Sequence, residues 1–116
     1  MRGVDLNSLK SLLLRWQSEA ITAHEVHSEA EALMAECDWK ELPKDDPESP
    51  LYEVLCQLDI LNQQLILSED VPVFLTFLGS KESDLEERWS EWEGYWRQVD
   101  FERRRRELQG SDFYAV

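Results

Sequence analysis

The sequence predicts an all-α, single-domain bundle of about five helices, and three observations lead there. Apolar residues recur at intervals of three and four along nearly the whole chain, the spacing that gathers side chains on one helical face. Four Gly and four Pro among 116 residues are too few for a turn-rich β-sandwich or a Gly-rich phosphate loop. Residues that start helices stand at the head of the apolar runs. A chain of this length buries about two-thirds of its unfolded surface on folding, enough for one sizeable core. Its 42% apolar and 32% charged residues give a globular balance rather than a disordered one.

The first helix is expected near residues 7–19, capped by Asn7 or Ser8, with Leu9, Leu12, Leu13 and Trp16 on one stripe. The second, near 23–37, opens on the capping box Thr22-Ala23-His24-Glu25. There the Thr22 hydroxyl accepts from the Glu25 amide and the Glu25 carboxylate from the Thr22 amide. Ile21 and Val26 flank the box as a hydrophobic staple, and Val26, Ala30, Leu33 and Cys37 continue as a narrow seam. Residues 38–49 read as an acidic loop containing Pro43 and Pro47. Ser49-Pro50 restarts a helix over 50–65, as cap and first helical residue, with Leu51, Val54, Leu55, Leu58, Leu61 and Leu65 on a wide face.

A fourth helix over 71–78 follows, capped by Ser68 or Asp70 and stopped by Gly79. Its Val73, Phe74, Leu75, Phe77 and Leu78 are too apolar for a surface position. The fifth and longest, 84–109, opens on a second capping box, Ser83-Asp84-Leu85-Glu86. Leu85, Trp89, Trp92, Trp96 and Val99 alternate by four and three as a heptad-like seam, and Gly94 leaves room for a neighbour to approach. Arg103 to Arg106 suit the negative end of the helix dipole, and the tail from Ser111 is expected to fray unless Phe113 and Tyr114 dock.

Charge excludes several functions. Twelve Lys and Arg against 25 Asp and Glu leave −13. Such a surface repels phosphate backbones and anionic lipid alike, so neither nucleic acid nor membrane is an expected partner. The first residues carry no secretory signal, and no run approaches the roughly 20 apolar residues that span a bilayer. The expectation is therefore a cytoplasmic protein with Cys37 and Cys56 reduced.

Catalytic constellations are missing too. His24-Glu25-Val26-His27 places its histidines three apart, whereas a zincin needs four, and the capping box already engages Glu25. Two cysteines lack the further ligands that a metal requires. Glu86, Glu87, Glu91 and Glu93 read as a solvated face opposite the tryptophans, without the Glu-x-x-His pairs of a di-metal bundle. No enzyme, metal or cofactor is expected; a metal-dependent enzyme using His24 and His27 is the one catalytic alternative.

The charge map points instead to a protein partner. Residues 41–83 carry two cations and nine anions, the most acidic third of the chain. Asp45, Asp46, Glu48, Glu53, Asp59, Glu69 and Asp70 would make one anionic surface if their loops converge, able to steer a basic partner. Tyr95 beside Glu91, and Trp39 before the acidic loop, are the candidate aromatic anchors.

Ile21-Thr22-Ala23-His24-Glu25-Val26-His27, Leu55-Cys56-Gln57-Leu58-Asp59-Ile60-Leu61 and Leu65-Ile66-Leu67-Ser68-Glu69-Asp70-Val71-Pro72 together resemble small acidic helical proteins of the bacterial toxin-immunity type. The resemblance spans residues 20–78. The Tyr-Tyr-Pro recognition segment of the immunity proteins against nuclease colicins is absent, so no binding residue transfers from them. What the resemblance implies is a non-catalytic inhibitor that masks a basic surface on a toxin domain or an enzyme. The alternative is a structural or regulatory adaptor that forms homo-oligomers through its apolar fourth helix.

Overall fold

The computed structural model describes residues 5–36 and 42–115. Among them every regular element is helical: α1 (Leu6–Gln17), α2 (Ala23–Ala35), α3 (Ser49–Asp59), a 3₁₀ turn (Ser68–Asp70), α4 (Val71–Leu78), a second 3₁₀ turn (Glu82–Asp84), α5 (Leu85–Gln98) and α6 (Phe101–Glu107). Six helices thus stand where about five were expected. The Cys37 seam position and Trp39 lie outside the described residues.

The apolar stripes go where the periodicity sends them. Leu9, Leu12, Leu13 and Trp16 of α1, Val26 and Ala30 of α2, and Val54, Leu55 and Leu58 of α3 all join one core. Helix α4 sits at its centre, packed on α1, α3 and α5. Its Phe74, Phe77 and Leu78 are buried and its Val73 and Leu75 half-buried. Most of the apolar side chains of this helix are thus taken up by the core, and Val73 also lines a surface cleft. The tryptophan seam of α5 is the facing surface: Trp92 stacks on Phe77 at 4.4 Å between ring centroids, and Trp89 meets the same ring edge-on at 4.9 Å. Such pairs contribute about 0.5–1.5 kcal/mol each beyond their buried area.

Helix ends follow local chemistry in some places and distant partners in others. The Thr22–Glu25 box forms as read, with both reciprocal hydrogen bonds, at 3.2 and 3.1 Å. α1 starts one residue earlier than expected, because the cap is Asp5, whose carboxylate accepts from the Asn7 amide. It ends with Glu19 in the left-handed region at φ 65°, where the amides of Ala20 and Glu19 reach back to Arg15 and Trp16. The second expected box is not the one formed. Asp84, rather than Ser83, closes the turn, accepting from the Lys81 amide at 2.6 Å. That hydrogen bond, reinforced by Arg88, holds the half-buried Asp84 carboxyl below its ordinary pKa despite some desolvation.

Two expected helices are shorter than their periodicity suggests. α3 stops at Asp59, and a turn through residues 60–65 keeps Leu61 and Leu65 buried while Gln63 and Gln64 face water. The expected 84–109 helix breaks at Val99, whose ψ of 133° is extended, and Asp100 caps α6 by accepting from the Arg103 amide at 3.0 Å. The tail does not fray within the described residues. Tyr114 donates its hydroxyl to the Ile66 carbonyl at 2.6 Å, the Ala115 amide bonds Asn62, and Phe113 packs on His24 and His27.

Candidate functional site

The most polar point of the interior lies where the 3₁₀ turn before α4 meets α6. Asp70 is fully buried, and Arg104 meets it with two parallel hydrogen bonds, Nη1 at 2.7 Å and Nη2 at 2.8 Å. Arg104 Nη1 also donates to the Leu65 carbonyl at 3.0 Å, and the Leu67 amide donates to Asp70 at 2.9 Å. The Tyr95 hydroxyl donates to the same carboxylate. Burial opposes the Arg104 cation, but hydrogen bonding and attraction from Asp70 hold its pKa above the ordinary value. Burial, then Asp70, pushes the Tyr95 phenol up to about 12; burial and the Asp70 charge do the same to Tyr114. This cluster joins three separate stretches of chain, and its geometry is structural.

Two of the expected partner-binding residues, Asp70 and Tyr95, are less exposed than the sequence suggested. Asp70 presents no surface at all, because its charge is enclosed and answered by Arg104. Tyr95 is half-buried, edge-on to Trp96 at 4.9 Å, with its hydroxyl already engaged, so it is not a free aromatic among carboxylates. Its ring still lines a cleft between α4 and α5, where Glu91, paired with Arg88 at 3.2 Å, stands above Pro72, Val73 and Trp92.

The remaining acidic candidates divide. Glu53 is half-buried on α3 and accepts from Trp92 Nε1 at 3.3 Å and Gln57 Nε2 at 3.5 Å. Asp59 is half-buried at the end of α3, and Glu69 is exposed, 3.9 Å from Arg103. Asp46 turns inward to accept from the Glu48 amide at 2.8 Å, while Asp45 and Glu48 are exposed in the loop before α3.

That loop meets the first half of α5, and there the best-built surface feature lies. A groove of about 530 Å³ has Trp89 and Leu85 at its base and Asp45, Glu82, Glu86 and Glu93 around it. Ser49 holds the loop in place from beneath. Its hydroxyl donates to the Lys44 carbonyl at 3.0 Å and accepts from Trp89 Nε1 at 2.9 Å, so Ser49 is buried rather than a helix cap. Above it the Lys44 ammonium lies 5.1 Å from the Trp89 ring centroid and 2.6 Å from Glu93. The sequence carried a signal for three of these carboxylates. Glu86, Trp89 and Glu93 are spaced three and four apart, one face of α5, and Glu82 stands four residues ahead of them in the preceding 3₁₀ turn. Nothing local announced Lys44, which reaches them across 49 residues.

Among the described residues no group of three or more His, Cys, Asp or Glu side chains is arranged to hold a metal ion, and no helix is long and apolar enough to cross a membrane. Compared with protein families, curated proteins and solved structures, the chain matches none of them.

Proposed function

We propose that this chain is a non-catalytic protein-binding protein, an immunity-type inhibitor that masks a basic surface on a toxin domain or enzyme. The observation that carries the reading is α5, a ridge with a tryptophan-based groove on each side. Trp89 lies under Asp45, Glu82, Glu86 and Glu93 on one side, and Trp92 under Glu91 on the other. Tryptophan is among the side chains most enriched at binding hot spots. The net −13 supplies the long-range field that draws a cationic partner in. A cytoplasmic setting belongs to the same proposal, since an inhibitor of this kind meets its target where both are made.

The test is affinity capture from the source cells, followed by reconstitution from purified components. The expected result is a one-to-one complex with a basic domain, an association rate that falls steeply with added salt, and loss of the partner's activity on binding. A salt-independent association rate, or a complex that leaves the partner fully active, would overturn the inhibitor reading.

A further inference from the structure

The groove beside the loop already contains a cation, and that cation belongs to the chain itself. Lys44 rests its ammonium over Trp89 and against Glu93, with Asp45, Glu82 and Glu86 nearby and without a cation of their own among the ion pairs of the described residues. The seat fits an alkylammonium in two independent ways, through the face of an indole and through a carboxylate. Its occupant is loosely held. The Lys44 side chain is 60% exposed and that of Glu93 43%, and exposed pairs of this kind are weak. The backbone of Lys44 is fixed separately, by the Ser49 hydroxyl, so the side chain can leave without unfolding the loop.

We infer that the Lys44 side chain is a place-holder, and that a lysine side chain of the basic protein partner displaces it and takes its seat on Trp89 between Glu93 and Glu86. The inference rests on the proposed function and adds the point of contact. It also assigns Lys44 an effect on affinity: each intermolecular cation must compete with an intramolecular one. A site that is open for only a fraction of the time shows an apparent affinity reduced by that fraction. Removing Lys44 should therefore tighten binding by about three- to thirtyfold, the range set by one exposed ion pair plus one exposed cation–π contact.

The experiment uses the full chain and a deca-lysine peptide as probe, with a Gly-Ser peptide of equal length as the neutral reference. Affinity is read by calorimetry and the seat by the Trp89 indole N–H resonance. Lys44→Ala is compared with Lys10→Ala, which makes the same change in net charge on α1. Glu93→Gln tests the seat directly. The expected result is that Lys44→Ala tightens binding severalfold, Lys10→Ala has little effect, Glu93→Gln weakens it, and the Trp89 resonance shifts on titration. If Lys44→Ala and Lys10→Ala change affinity equally and the Trp89 resonance stays still, the seat is refuted while binding to a basic partner stands. If deca-lysine binds no better than the Gly-Ser peptide, the basic-partner reading falls, and the seat with it.

Discussion

Arg104→Met should be among the most damaging single substitutions in this protein. It removes both hydrogen bonds to Asp70 and the bond to the Leu65 carbonyl, and leaves a carboxylate with 0% exposure facing no counter-charge. Breaking a buried pair from one side costs about 3–5 kcal/mol, a fifth or more of the stability of an ordinary domain. The pair itself is not strongly favourable, since both charges lost their hydration and Arg104 Nε is buried without a partner among the described residues. Asp70→Asn in the Arg104→Met background should therefore restore part of the loss. Asparagine still accepts from the Leu67 amide through its one carbonyl oxygen, its NH2 can donate to the Tyr95 hydroxyl oxygen in place of the bond now received from it, and it carries no charge to strand. A double-mutant cycle by urea denaturation, followed by tryptophan fluorescence, should give a coupling of about 2–3 kcal/mol with unchanged m-values. A loss below about 1 kcal/mol for Arg104→Met, or additive single costs, would mean the pair is neither dry nor coupled, and the argument from enclosure would fail.

Other predictions follow from the same geometry. Ser49→Ala strands Trp89 Nε1 and the Lys44 carbonyl, and should cost about 1–3 kcal/mol in urea denaturation while loosening the acidic loop, visible as faster amide exchange near Lys44. Gly94→Ala should stabilise α5 by about 0.5–1 kcal/mol, because a Cβ there meets nothing closer than Arg97 Nη2 at 3.9 Å; a loss of stability would show that the site is not open. Tyr95 and Tyr114 hold their protons more tightly in the folded chain than in the unfolded one. The stability they contribute is thus complete below pH 10 and declines as pH rises toward about 12, and Tyr95→Phe with Tyr114→Phe should flatten that decline in urea midpoints measured across the range.

Helices were legible where their causes are local. The stripe of α1, the Thr22–Glu25 box and the aromatic seam of α5 depend on residues three or four apart, and each forms as the spacing implies. What escaped depends on partners far along the chain. Val99 continues the seam of α5 in sequence, yet the helix breaks there, and α6 sets off on a new course that brings Arg104 to Asp70, 34 residues away. Four successive arginines advance by about 100° each on a helix, so one of them had to face inward; which one is fixed by the carboxylate it meets. Asp70 and Ser49 both resemble helix caps, and both were drawn instead into the interior, by Arg104 and by Trp89. The candidate groove divides in the same way, with Glu82, Glu86, Trp89 and Glu93 readable from spacing and Lys44 supplied by tertiary structure.

The placement of charge should give salt opposite effects on the stability of the chain and on the association proposed for it. Five cations of the described residues are answered within the chain: Arg15 by Glu29, Lys44 by Glu93, Arg88 by Asp84 and Glu91, Arg103 by Glu69 and Glu107, and Arg104 by Asp70. Most of these pairs are exposed and weak, so salt that screens them removes little. The uncompensated −13 is a larger quantity, and its self-repulsion opposes the compact state at low ionic strength. Raising salt toward 0.1 M, where the screening length shrinks to about 10 Å, should therefore raise the urea midpoint of the free chain. The same addition should slow its association with a basic partner. A protein whose acidity served only dispersal would show the first effect without the second. One whose surface pairs held the fold together would lose stability with salt. Measuring the urea midpoint and the association rate across one salt series separates all three cases, because each predicts a different pair of signs.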